Sequence, residues 1–96
     1  INEAVKNKVG SLVIGVSPIG GVVPDEWLSV IEEAASAGLD IVNGLHLKLK
    51  DYPAIVAAAN KSKARLIDVR VPPSDLPVGS GIKRSGKRLL TVGTDC

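Results

Sequence analysis

Three short apolar runs constrain this chain most: residues 12–16 (LVIGV), 39–43 (LDIVN) and 65–71 (RLIDVRV). Each stops at a cluster of glycine, proline or polar residues: SPIGG, NGLH and PP. The run at 12–16 has no polar alternation, the pattern of a strand covered on both faces in a parallel sheet. Segments with helical spacing separate the runs. The order is β-α-β-α-β, then a glycine- and proline-rich stretch, then a last apolar run at 89–92. Such alternation implies an α/β fold with a parallel sheet and crossover connections.

The intervening segments carry helix signals. Residues 1–8 read as a short helix stopped by Gly10. Pro24, Asp25 and Glu26 open the best helix, with acidic residues where the helix dipole favours them. Trp27, Val30, Ile31, Ala34 and Ala35 then form one apolar face at helical spacing, and Gly38 is placed to end the helix. Residues 47–50 alternate Leu and Lys but are too few to assign. Asp51 is the expected N-cap of the next helix, with Pro53 in its first turn and Ile55, Val56 and Ala59 as its buried stripe. Residues 74–86, with Pro77, Gly79, Gly81 and Gly86, read as a linker.

The core of such a chain must be aliphatic, because Trp27 and Tyr52 are its only large rings. The net charge of +2 argues against a nucleic-acid surface, although Lys83, Arg84, Lys87 and Arg88 cluster as a solvated or phosphate-attracting rim. A single cysteine, Cys96, suits a reducing compartment, and no apolar run approaches a membrane span. A cytoplasmic protein with no membrane partner is the expectation. With no Met, and with ends inside a helical pattern and a loop, the chain reads as a portion of a longer protein.

In a parallel sheet the strand ends lie along one edge, where ligands of open α/β folds bind. Four ends carry unusual residues: SPIGG, NGLH, DVRVPP and GTDC. His46, the only histidine, is a general base, a substrate hydrogen-bond partner or a metal ligand if it is not simply exposed. Asn43 and Gly44 beside it belong to the substrate site or to a plain turn. Asp68 and Arg70, two apart on a strand, share a face. Arg70 then binds a carboxylate or phosphate, or the two form a local ion pair. Gly20 and Gly21 can admit a phosphate close to the backbone, though no G-x-G-x-x-G occurs. Gly93, Thr94 and Asp95, after the apolar run, look like the first half of a phosphate loop.

In order and spacing, LVIGVSPIGGVVPDEW, AGLDIVNGLHLKL, RLIDVRVPP and LLTVGTDC resemble the D-glutamate N-acetyltransferase-like family. The most specific pieces are GLH at 44–46, DVRVP at 68–72 and GTDC at 93–96. The resemblance implies a Rossmann-like three-layer parallel sheet, present in part over residues 1–73, a linker at 74–86, and at 87–96 the first strand of a P-loop domain. It also implies acyl transfer to the amine of D-glutamate. Acetyl-coenzyme A or a nucleotide is the cofactor to expect. On that reading Arg70 holds a substrate carboxylate and His46 accepts a proton from the attacking amine. The alternatives are a Rossmann-like oxidoreductase or nucleotide-dependent ligase, and a non-catalytic nucleotide-binding domain. An incomplete sheet further suggests a homo-oligomer.

Overall fold

The computed structural model describes residues 1–83, 85–87 and 89–92. Its elements run α1 (Asn2–Lys6), β1 (Ser11–Ile14), α2 (Asp25–Ser36), β2 (Asp40–Asn43), α3 (Pro53–Ser62) and β3 (Leu66–Asp68), with single 3-10 turns at Ile19–Gly21 and Leu49–Asp51. The strands form one parallel sheet in the order β1-β2-β3. Register aligns Val13 with Val42 and Val42 with Ile67. The fold is α/β and Rossmann-like, as the alternation of apolar runs implies.

The core lies between the sheet and the α2–α3 pair. Ile31, Ala34 and Ala35 of α2 and Ile55 and Ala59 of α3 meet Ile41 of β2, with Leu39 and Leu49 closing the ends. Small alanines at the helix contact allow the two backbones to approach. At the helix ends, Ser62 Oγ donates a 2.6 Å hydrogen bond to the carbonyl of Ala35. That carbonyl, at the C-terminal end of α2, also accepts the Gly38 N–H at 3.0 Å, so the serine is its second donor. Gly38, at φ +86°, follows α2 in the left-handed conformation that its missing Cβ permits.

Several local expectations change. The stripe of α2 is rotated: Leu28 packs on the core, while Trp27 is half-buried and Val30 exposed. Asp51 closes a 3-10 turn, and the N-cap of α3 is Tyr52, with Pro53 at the first helical position. β1 ends at Ile14, not residue 16, and is covered on one face only, Val13 remaining 64% exposed. Helices lie on one face of the sheet, so two of the three expected layers are present among the described residues. β3 stops at Asp68, not residue 71, because β2 pairs no further than Asn43 and leaves nothing to extend the ladder.

β1 is an edge strand, flanked by an apolar groove of about 440 Å³ that includes Leu12, Val13, Val16, Trp27, Val30 and Ile31. From residue 69 onward every described residue outside the turn at Val69-Arg70 is exposed and without helix or strand, apart from a second turn at Ser74-Asp75. The expected strand at 89–92 is therefore not formed, and Gly93, Thr94, Asp95 and Cys96 lie outside the described residues. No described helix is long and apolar enough to cross a membrane.

Candidate active site

The carboxyl ends of all three strands open into one cavity of about 240 Å³. Beyond β1, residues 15–18 form one wall, completed by Gly21. Gly20 and Gly21 both sit at φ +71°, a left-handed conformation open to glycine and strained for other residues. They let the chain reverse within the 3-10 turn and return toward α2. Beyond β2, Gly44, Leu45 and His46 form a second wall. Beyond β3, the turn at Val69-Arg70 brings Arg70 to the rim.

His46 is exposed and lines the cavity, as does the exposed Arg70. A cationic guanidinium beside an imidazole suits an anionic substrate that also has a proton to lose. Gly44 lies close to β1: a Cβ built on it would sit 3.7 Å from the carbonyl oxygen of Ile14 and 4.0 Å from Cγ2 of Val69. Those are ordinary contacts, so an alanine fits there.

Asn43 and Asp68 are placed differently. Asn43 is fully buried, and neither residue lines the cavity. The Asn43 amide nitrogen donates to the carbonyl of Leu47 at 2.8 Å and to Oδ1 of Asp68 at 2.7 Å. Its oxygen accepts the amide N–H of Leu45 at 3.0 Å. Both carboxylate oxygens of Asp68 accept the N–H of Leu49 at 3.2 Å. The two residues thus spend their polar atoms on the turn that carries His46. The shared strand face expected for Asp68 and Arg70 does not form, since the strand ends between them. Nor do they pair: among the described residues the one ion pair joins Arg65 and Asp40.

Three of the four strand ends meet as the topology requires; the fourth, GTDC, is outside the described residues. Of the glycine pair, Gly21 lines the cavity and Gly20 does not. Ser17, Pro18 and Leu45 line it without having been singled out in the sequence. The SPIGG cluster was the available signal for the first two.

A parallel sheet with crossover helices and a cavity beyond its carboxyl edge is the layout of a Rossmann-like domain. The chain belongs to the family described as a domain of unknown function (DUF1611_N), Rossmann-like domain, whose model matches residues 1–72. Over all 96 residues it is 45% identical to a D-glutamate N-acetyltransferase of Pseudoalteromonas sp. It is 44% identical over the same length to one of Tritonibacter scottomollicae. The chain spans 29% of the length of each of these relatives.

Proposed function

We propose that this chain forms the amino-acid-binding part of a longer N-acetyltransferase acting on D-glutamate. The observation that carries the reading is the convergence of Arg70 and His46 on one small cavity at the carboxyl edge. Kinship with the two D-glutamate N-acetyltransferases supplies the reaction class.

A cavity of about 240 Å³ suits a small amino acid, since it lies below the range of roughly 300–1,000 Å³ typical of sites for drug-sized ligands. The Ser17–Gly21 loop lacks the G-x-G-x-x-G pattern, which leaves the oxidoreductase and ligase readings without a specific observation. An acyl donor, when bound, would supply the activated acetyl group. This chain's part is to hold and deprotonate the acceptor. Arg70 grips a carboxylate through charge-assisted hydrogen bonds, bidentate where the fork allows. His46 takes a proton from the substrate ammonium, freeing the nitrogen lone pair for attack.

The test is acetyl transfer to D-glutamate by the longer protein, with nicotinamide cofactors and ATP as control ligands. Loss of a general base lowers kcat by about 10²–10⁴-fold, the outcome expected for His46→Ala. Arg70→Ala should mainly raise KM, by about 10- to 100-fold for a lost charged hydrogen bond. Unchanged constants in both variants remove these roles.

A further inference from the structure

The turn that carries His46 is tied at three backbone points to two side chains. Leu45 N–H and Leu47 C=O bond to the amide of Asn43, and Leu49 N–H bonds to the carboxylate of Asp68. Asn43 and Asp68 bond to each other at 2.7 Å across 25 residues of sequence. The Val69 N–H closes the arrangement on the backbone carbonyl of Asn43 at 3.0 Å. His46 sits between two of the tied residues, and among the described residues its ring makes no hydrogen bond of its own. What the structure fixes is the point on the backbone from which the imidazole reaches the cavity. That backbone is set by Asn43 and Asp68, one on each of two neighbouring strands.

We infer that Asn43 and Asp68 are positioning residues for His46, an inference that rests on the role given to His46 above. Both chemistries are needed. Asn43 offers a donor and an acceptor in one planar group, so it can hold an N–H and a C=O of the same turn. Asp68 offers acceptors only, which suits the two donors facing it, Asn43 Nδ2 and Leu49 N. Because Asn43 is fully buried, its polar atoms have no water to fall back on, and the network has one satisfied arrangement. Loss of either side chain lets residues 45–49 relax and moves the imidazole relative to Arg70, whose turn is anchored by the backbone bond from the Val69 N–H to the Asn43 carbonyl, which needs neither side chain.

The experiment is a double-mutant cycle on D-glutamate acetylation by the longer protein, with each variant checked for folding by circular dichroism. Misplacing a catalytic group by about 1 Å can cost on the order of 100-fold, so Asp68→Ala should lower kcat by about 10- to 100-fold. KM for D-glutamate should stay within about threefold, because Arg70 keeps its place. Asp68→Asn keeps Oδ1 as acceptor for both donors but sets an NH2 against the Leu49 N–H where Oδ2 stood, and should recover part of the rate. In a His46→Ala background Asp68→Ala should cost almost nothing more, since it acts through His46. Independent, multiplying losses overturn the inference, as does a folded Asp68→Ala variant with wild-type kcat while His46→Ala is impaired. A His46→Ala rate equal to wild type overturns the inference together with the role of His46. Should Asp68→Ala not fold, Asp68→Asn goes through the same cycle, and its smaller loss must likewise vanish without His46.

Discussion

Asp40 and Arg65 tie the start of β2 to the start of β3. The Arg65 amide donates to Oδ1 of Asp40 at 2.7 Å, and Nε donates to Oδ2 at 2.9 Å. These bonds, from the guanidinium first and the amide second, hold the Asp40 carboxyl below its usual value of 3.8. A carboxyl so lowered adds stability above its unfolded value and loses it as pH falls through the folded one. Thermal melts should therefore show stability declining as the solution is acidified below about pH 4, and Asp40→Asn should flatten that decline. An equally steep acid limb in the variant would assign it to other groups. At this scale the sequence was legible in part. His46, Gly44, Gly21 and Arg70 could be picked out from chain order alone, because parallel strands must end on one edge. The partner of Asn43 could not, because 25 residues separate it from Asp68 and no local pattern announces the bond.

Among the elements, β2 was legible to within a residue: Gly38 and Gly44 bracket residues 39–43, of which Asp40–Asn43 pair with β1 and Ile41, Val42 and Asn43 also with β3. β3 was overrun because a ladder ends where its partner does, a fact located on β2 and not in RLIDVRV. The end of α3 gives a prediction at this scale. Lys63 closes that helix at φ +65°, in the left-handed conformation usually taken by glycine. A residue with a Cβ pays roughly 1–2 kcal/mol there, offset in part by the larger unfolded-state freedom of glycine. Lys63→Gly should thus stabilise the protein by about 0.5–1 kcal/mol in denaturant melts. A loss of stability would mean that the lysine stem or charge contributes more than the strain costs.

At the scale of the whole molecule, the described residues leave one side of the sheet uncovered. Val13, Val42 and Ile67 form an aligned row on that side, with Val13 and Ile67 exposed. β1 and β3 are both edges, and an apolar groove runs beside β1. Exposed apolar faces and open strand edges promote association. Sedimentation velocity on the 96-residue chain should show self-association, weakened by Val13→Thr with Ile67→Thr. A monomer at micromolar concentration would contradict this. LVIGV, an apolar run without alternation, reads as a strand covered on both faces, yet Val13 stays exposed, because an apolar run records what a strand tolerates and not what packs on it.

The cavity between residues 15–18, Gly44–His46 and Arg70 is proposed above as the seat of an anionic amino acid. Its most direct test is calorimetric titration of the longer protein with D-glutamate, comparing wild type with Arg70→Ala. A charged hydrogen bond contributes about 1.5–3 kcal/mol, so the Kd should be weaker by roughly 10- to 100-fold in the variant. Equal Kd values in the two proteins would place the amino acid elsewhere and contradict it.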